Sequence, residues 1–316
     1  MKKLLLASAV AALSITAAQA APQVYGKAFL TLDVKDDNGD NKNLKTELNS
    51  VGSRIGIKGG EALSANTDLV YQLEYGVGID NERSVQFSPR DTYLGLANKQ
   101  YGTLVAGRIS GIDGYVDYAN VTAGKPVGGN NVLASYDADR VNNAVAYFSP
   151  ERNGLQFMGM YAVNELNAKR ESFGIGAKYE PTDAPFKVGA SYVQVQDGEA
   201  SKATRVSGAY AISPVLTAGA LYQNTDFNTK NNENAFTLSA NYKVAQTPFT
   251  TYGQLDFVNN TKGIKDTKKQ RIAVGGKYAF NKATTGHIYG AYQASKKADD
   301  KNTNAYGIGA GVEYKF

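Results

Sequence analysis

The residue types that perform most protein chemistry are scarce in this chain of 316 residues, which has one histidine and no cysteine. Without cysteine there is no thiolate nucleophile, no thiolate zinc site and no disulfide framework. The histidine, His287, has no serine two residues away and no evident paired carboxylate. Acid–base and nucleophilic catalysis need a positioned base beside the group it activates, and that base is commonly histidine. The sequence therefore predicts no enzyme, no metal site and no cofactor.

Charged residues are the other groups that could have a chemical role, and they are spread along the chain. The N-terminus has two lysines, the apolar run Leu4–Ala18 and a final Ala18-Gln19-Ala20, which is the pattern of a secretory signal peptide. We therefore predict a signal peptide over residues 1–20 and a mature chain from Ala21. Loss of Lys2 and Lys3 leaves 32 basic and 29 acidic residues. A net charge of about +3, dispersed in this way, does not indicate a nucleic-acid-binding protein.

The elements that must position these charges are strands with one apolar and one polar face. Apolar residues occupy every second position in residues 173–179, 236–242, 272–280 and 306–316, apart from Gly276. A period of two predicts β-strands. The mean hydropathy of −0.36 argues against a bundle of membrane helices, which needs repeated apolar runs of roughly 20 residues.

A longer period orders the strands into hairpins. Tyrosines recur every 31 to 36 residues at Tyr147, Tyr179, Tyr210, Tyr242, Tyr278 and Tyr314. Short turn segments follow all but the last of them, and longer polar segments lie midway between them. The pattern extends backward through Val24–Val34, Ser50–Lys58, Thr67–Gly78, Arg90–Asn98 and Gly102–Ile109. The total is about sixteen strands joined alternately by short and long connections, which favours an up-and-down barrel over a solenoid or propeller.

The recurring tyrosines indicate which face of the strands meets lipid. A soluble sandwich buries its apolar face, whereas a membrane barrel turns that face outward and lines its lumen with the polar one. Aromatic residues repeated at one end of the strands are typical of a membrane interface. We therefore predict an all-β chain, a transmembrane antiparallel barrel of about sixteen strands over residues 21–316. The segment Ser110–Asp139 is an unusually long connection between strands five and six, and loops of that length are usually functional.

Several segments of the first half resemble one family. They are Tyr25–Ala28, Ser53–Gly59, Arg90–Gly102 and the pair Gly107-Arg108, and they occur in that family's order and spacing. With them, the mature chain resembles the trimeric general porins of Gram-negative outer membranes, most closely the neisserial-type branch. The resemblance implies a cell outer membrane location, a homotrimer in contact with outer-membrane lipid and lipopolysaccharide, and assembly that depends on the C-terminal aromatic residue, here Phe316.

The resemblance also implies that the third loop, residues 110–139, folds into the lumen as a constriction. Its basic wall would comprise Lys27 on strand one, Arg54 on strand two, Arg90 on strand four and Arg140 at the start of strand six. The alternation supports Arg54 independently, because Ile55 and Ile57 facing lipid would turn Arg54 inward. An arginine facing lipid at the bilayer midplane would cost about 2–4 kcal/mol.

The acidic side of the constriction would come from Asp113 and Asp117 on the loop, with Asp137 and Asp139 near its return. The loop reads Gly111-Ile112-Asp113-Gly114-Tyr115 and lacks the PEF-type motif of the enteric porins.

The resemblance suggests a further role for Arg108. In the family this position often pairs with the second loop of a neighbouring subunit, where Glu82 would be its partner. An ion pair within one subunit is the alternative.

A passive diffusion channel is the predicted function. About sixteen strands leave an aqueous channel, and four or five basic groups facing two or three acidic ones favour a weak preference for anions. The permeating species would be small hydrophilic solutes and inorganic ions. The alternatives are a substrate-specific porin or a surface adhesin on the same scaffold. Sugar-specific channels usually carry an aromatic stacking run, for which Tyr115 and Tyr118 are the candidates.

Overall fold

The computed structural model describes residues 22–37, 44–80, 86–137, 140–165, 171–196, 201–299 and 301–316. The predicted signal peptide, Glu82 and Asp139 lie outside the described residues. The strand segments are β1 Gln23–Asp36, β2 Lys45–Ser50, β3 Arg54–Ala62, β4 Thr67–Val77, β5 Phe87–Asn98, β6 Gly102–Ser110, β7 Arg140–Phe148, β8 Leu155–Ala162, β9 Ser172–Tyr179, β10 Phe186–Val195, β11 Ser201–Ala211, β12 Leu216–Asp226, β13 Glu233–Lys243, β14 Phe249–Asn259, β15 Lys268–Ala279, β16 Thr284–Lys296 and β17 Asn302–Lys315.

The segments form one closed antiparallel barrel of sixteen strand positions, which confirms the predicted fold. β2 and β3 lie end to end on β1, pairing with residues 30–35 and 23–27 respectively, so they fill one position. Gly52, with φ of +58°, lies in the break between them, in a conformation that favours glycine. β17 pairs with β1 from Lys315 opposite Lys27 to Tyr306 opposite Asp36. This last pairing removes both sheet edges, as a barrel in lipid requires.

The two faces of the strands differ in exposure and polarity, as predicted. On β15, Ile272 and Val274 are 48% and 53% exposed, whereas the alternating Arg271 and Ala273 are 2% and 1% exposed. The six periodic tyrosines all belong to the exposed set, and they lie near the end of the barrel that carries the short turns. Apolar residues therefore face outward and polar ones face the lumen, the reverse of a water-soluble sandwich.

Barrel closure is completed at Gly26 and Phe316. The Gly26 amide donates to the Phe316 carbonyl at 2.9 Å, and the Phe316 amide donates to the Gly26 carbonyl at 3.2 Å. A Cβ on Gly26 would lie 2.3 Å from Cζ of the Phe316 ring and 2.9 Å from the Arg54 carbonyl oxygen. Glycine at this position thus lets the ring of Phe316 cover the first strand.

Deletion of Phe316 is expected to lower the yield of folded barrel, because it removes two backbone hydrogen bonds and the ring that covers Gly26. The measurement is the fraction of outer-membrane protein that shows heat-modifiable mobility on a gel. Phe280→Ala is the matched control, since Phe280 is an exposed aromatic at the same end of the barrel. Equal folded fractions for the deletion and the control would contradict the role of Phe316 in assembly.

The long connection lies inside the barrel. β6 ends at Ser110 and β7 begins at Arg140. Between them a 3-10 turn, Ile112–Val116, contacts β8 to β11. The largest apolar cluster of the described residues lies between this turn and the inner wall and includes Val105, Ile109 and Phe148. The molecule therefore has a packed core, placed between the loop and one side of the lumen.

Candidate pore constriction

Two of the predicted arginines meet at one carboxylate on the lumen wall. The Nε atoms of Arg54 on β3 and Arg90 on β5 lie 3.3 Å and 2.5 Å from the two oxygens of Glu74 on β4. The Tyr25 hydroxyl also donates to Glu74, at 3.1 Å. The register between β4 and β5 shifts opposite Glu74, and this irregularity lies where Arg90 reaches the carboxylate. We call Arg54, Glu74 and Arg90 the wall cluster; it carries two positive charges and one negative charge.

The wall cluster faces the part of the lumen that the loop leaves open. The side chains of Arg54 and Arg90 are 30% and 21% exposed. Within the described part of the chain, their hydrogen bonds go to Glu74 and the Gly52 carbonyl, and none goes to the loop. The two guanidinium groups are therefore available to ions and polar solutes in the passage.

Lys27 lies beside the wall cluster. It is directly opposite Arg54 across the β1–β3 pairing, and its Nζ is 3.7 Å from Glu313 on β17. The structure thus brings three of the four predicted basic residues, Lys27, Arg54 and Arg90, to one stretch of wall.

Arg140 occupies a different place, at the base of the loop. Its Nε lies 3.1 Å from Asp91 Oδ2, while Asp91 Oδ1 accepts hydrogen bonds from the amide and hydroxyl of Ser110 at 2.7 Å and 2.8 Å. One carboxylate therefore binds the residues on both sides of the loop, and Arg140 holds the two ends together.

The start of the loop packs closely on the wall because the wall there is made of glycine. A Cβ on Gly176 would lie 2.8 Å from Ile112 Cγ2, and one on Gly189 would lie 2.8 Å from Val116 Cγ1. The hydroxyl of Ser207 on β11 donates to the Val116 carbonyl and accepts from the Tyr118 amide.

Asp113 differs from its predicted place. It is 1% exposed, and its carboxylate lies 3.6 Å from Nη2 of Arg205 on β11. Nη1 of Arg205 donates to the Asp113 backbone carbonyl at 3.2 Å. Arg205 is itself 1% exposed and forms a 2.7 Å ion pair with Asp137. The 3-10 turn buries Ile112, Asp113 and Val116 together, so the Asp113 carboxylate faces the wall beneath the loop and not the arginines across the passage.

Asp117 also turns back toward the loop. Its carboxylate accepts from the amides of Ala119 and Asn120, each at 3.1 Å. Burial raises the pKa of this carboxyl, although the nearby Arg205 acts in the opposite direction. Asp113 thus contacts Arg205 on β11, and Asp117 contacts its own loop.

The return of the loop is attached by a second buried arginine. Arg271 on β15 lies 2.7 Å from Asp256 and donates to the carbonyls of Gly129 and Asn131 at 2.6 Å and 2.5 Å. At the tip, Lys125 Nζ donates to Asn49 on β2 at 2.8 Å, and its amide donates to the Tyr289 hydroxyl. The loop therefore follows the wall of β9 to β16, with an exposed lysine at its tip.

Arg108 is bonded within its own subunit. Its Nε donates to the Pro89 carbonyl at 3.1 Å and its Nη1 to Asn142 Oδ1 at 2.5 Å. Because Glu82 lies outside the described residues, its contact with Arg108 of a neighbouring subunit stays a prediction.

The single histidine is the remaining candidate for other chemistry. His287 is mostly buried on the inner wall, with its ring 4.7 Å from that of Phe29. No cluster of three or more His, Asp or Glu side chains that could hold a metal ion occurs in the described part of the chain. No helix in that part has the length and apolar character needed to cross a membrane.

The comparison with known proteins agrees with this geometry. A family model for Gram-negative porins matches residues 6–316. This chain belongs to that family. The porin is similar to the major outer membrane protein P.IB of Neisseria meningitidis serogroup B, with 27% identity over 350 aligned residues and all of both chains covered.

Two solved structures share its fold. The anion-selective porin from Comamonas acidovorans has a TM-score of 0.75 at 18% identity, covering 94% of this chain and 99% of that one. OmpT of Vibrio cholerae in its trimer form has a TM-score of 0.70 at 19% identity, again covering 94% and 99%. As a member of this family, the porin is an outer-membrane channel for passive diffusion.

Glu74, Arg205, Arg271 and Lys125 were not among the predicted site residues. Three of them carry a usable signal, because each follows or precedes an outward-facing apolar residue: Leu73 and Tyr75 flank Glu74, Val206 follows Arg205, and Ile272 follows Arg271. Alternation therefore turns these three charges inward, by the same reasoning that applies to Arg54.

Proposed function

We propose that this porin passes small hydrophilic solutes and inorganic ions with a weak preference for anions. The anion preference is supported by one observation above all: two arginines, Arg54 and Arg90, share the single carboxylate Glu74 in the open part of the lumen. We retain the proposal that Lys27, Arg54, Arg90 and Arg140 line the constriction together with Asp113 and Asp117 of the loop, with one change: the two aspartates are bonded at β11 and within the loop and do not face the arginines. Asp113 and Asp117 contribute less negative potential than expected, since Arg205 lies close to Asp113 and near Asp117.

The physical basis of the preference is the field of a narrow passage. Low-dielectric walls focus the potential of charges that line it, which raises the local concentration of counter-ions. A surplus of positive charge on the wall attracts anions, while partial neutralisation by Glu74 keeps the attraction weak enough for release. A passage of this kind orients polar solutes and needs no catalytic group.

We further propose that the channel is a homotrimer whose outer surface contacts outer-membrane lipid and lipopolysaccharide. The apolar outer face and the tyrosine belt support contact with lipid, and OmpT, with the same fold, is known in a trimer form. Nucleic acid and cofactors are not expected partners. We expect no catalytic activity, since passive passage requires none.

The alternatives receive no support from a particular contact. A sugar-specific channel would line its passage with stacked aromatic rings, but the Tyr115 ring packs edge to face on Phe148 at 5.2 Å. Tyr118 lies against β11 through its backbone amide. An adhesin would depend on the outer loops, several of which lie partly outside the described residues.

Bilayer recordings test the proposed function. In a salt gradient, the reversal potential is expected to show chloride passing more readily than potassium. In liposome swelling, sugars and amino acids are expected to enter at rates that fall smoothly with size. A cation preference would contradict the proposed ion selectivity, and one sugar that enters faster than its size allows would indicate a specific channel.

A further inference from the structure

The tip of the long loop carries a lysine whose ammonium group is bonded to the inner wall. Lys125 Nζ donates to Oδ1 of Asn49 on β2 at 2.8 Å. Asn49 is 5% exposed and alternates with Leu48, which is 56% exposed on the outer face, so Asn49 faces the lumen. Lys125 is itself an exposed residue. Because the loop lies inside the barrel and the ammonium group is bonded to the inner wall, Lys125 is exposed to the water of the lumen.

The backbone beside this ammonium group is fixed by Tyr289 on β16. The Lys125 amide donates to the Tyr289 hydroxyl at 2.9 Å, and that hydroxyl donates to Oδ1 of Asp33 on β1 at 2.5 Å. Gly124 has a φ of +76°, and a Cβ at this position would overlap the Tyr289 ring, so only glycine lets the loop turn against the ring. The place of Lys125 is therefore set by contacts that do not involve its side chain.

Asp33 is connected to Lys125 through Asn49 and does not pair with it directly. Asn49 Nδ2 donates to Asp33 Oδ2 at 2.9 Å, and the Thr31 hydroxyl donates to the same oxygen at 2.6 Å. Asp33 is 2% exposed, and no ion pair of Lys125 occurs among the described residues. A permeating ion therefore meets the ammonium group, while the carboxylate stays covered by its neighbours.

The ammonium group lies on the extracellular side of the wall cluster. Asn49 is opposite Thr31 on β1, whereas Arg54 is opposite Lys27, four residues nearer the start of that strand. At about 3.3 Å per residue, the two levels are about 13 Å apart along β1. The strand starts at the end of the barrel with the short turns, which is the periplasmic end. An anion entering from outside thus passes the loop tip before it reaches the arginines.

We propose that Lys125 is a selectivity-determining residue, which adds positive potential from the loop tip to that of the wall cluster. An ammonium group has three donors, and the hydrogen bond to Asn49 leaves the others for a passing anion. The low-dielectric walls of the passage focus its field. The inference rests on the proposed anion preference and deepens it. The resemblance implies acidic side chains on this loop, whereas Lys125 gives its tip the opposite charge.

The absence of cysteine from the chain allows this charge to be removed and restored in one channel. In Lys125→Cys the single thiol reacts with a methanethiosulfonate to form a mixed disulfide. In a planar bilayer under a salt gradient, this variant is expected to lower the chloride-to-potassium permeability ratio by up to about fivefold, the effect of one unit charge at contact distance in water. The aminoethyl reagent restores an ammonium group and should return the ratio toward the wild-type value. The sulfonatoethyl reagent adds a negative charge and should lower the ratio further.

Two further variants complete the test. Lys125→Gln should lower the ratio like the unmodified cysteine variant, without any reagent. Lys99→Cys is the matched control, because Lys99 is also exposed and its Nζ donates to one neutral oxygen, the Ala65 carbonyl, at 2.8 Å. It lies in the short turn between β5 and β6, away from the loop, and neither reagent should change its ratio appreciably.

The signs of the responses decide the outcome. Equal shifts with the two oppositely charged reagents would show a steric effect, and no shift with either would show that the tip lies away from the passage. Each of these results would overturn the role of Lys125. A wild-type channel that prefers cations would contradict the proposed anion preference, whereas opposite responses of Lys125→Cys to the two reagents would still support Lys125, so the two failures are distinguishable.

Discussion

Arg205→Ala is expected to release the first part of the loop and to destabilise the barrel by about 3–5 kcal/mol, the usual cost of removing one partner of a buried ion pair. The substitution leaves the carboxylates of Asp113 and Asp137 beneath the loop without their shared guanidinium. A loop held to β11 only through the Ser207 hydroxyl should move more readily into the passage. We expect the thermal midpoint of unfolding to fall and single-channel recordings to show frequent brief closures.

Lys202→Ala is the control for this change, since Lys202 lies on the same strand and points outward. Arg205→Lys should recover only part of the effect, because lysine lacks the forked donors that reach the Asp113 carbonyl, Asp137 and Gln223 together. Wild-type stability and quiet currents in Arg205→Ala would show that the other contacts of the loop are sufficient to hold it.

Arg54→Ser combined with Arg90→Ser is expected to reverse the ion preference. The wall cluster changes from a net charge of one positive to one negative, because Glu74 stays without either partner. At contact distance in water, one charge is worth about 1 kcal/mol, or about fivefold in relative permeability. The reversal potential in a salt gradient should move toward cations, and conductance should rise modestly from the lost bulk.

Two comparisons sharpen this result. Glu74→Gln should move the reversal potential in the opposite direction, since it leaves two arginines without their carboxylate. The double substitution Lys230→Ser with Lys265→Ser removes the same number of charges from exposed outer loops and should have little effect, because salt screens them beyond about 10 Å. A larger shift from the loop lysines than from the arginines would place the narrowing elsewhere.

Alternation, the hairpin period and the recurring tyrosines were sufficient to predict the fold and which face of the strands meets lipid. Successive residues of a strand face lipid and water in turn. Because Ile55 and Ile57 face outward, Arg54 must face the lumen, and Arg271 on β15 faces the lumen for the same reason. The base of the loop was also predictable, since the strand patterns end near Ser110 and resume near Arg140. These features depend on local sequence only.

The bonding partners of the charged residues lie far from them in the sequence. Arg205 meets Asp113 across 92 residues, and Arg271 meets Gly129 across 142. A local sequence pattern does not predict either pair, because the path of the loop decides which residues meet. That path depends on where Ile112 and Val116 pack against glycines of β9 and β10. The expectation that loop acids face the arginines comes from the resemblance, whereas the Asp113 carboxylate lies beside Arg205 beneath the loop.

The loop is attached along β9 to β16, so one part of the inner surface holds the loop and another part lines the open passage. This division has an evolutionary consequence. Substitutions at Arg54 and Arg90, which lie in the open part of the lumen, change what passes at little cost in folding, so these positions can adapt to new solutes or exclude toxic ones. Substitutions at Arg205, Asp256 or Arg271 endanger the barrel itself and should be purged. Natural variants are thus expected to diverge on one side of the channel and to remain uniform on the other.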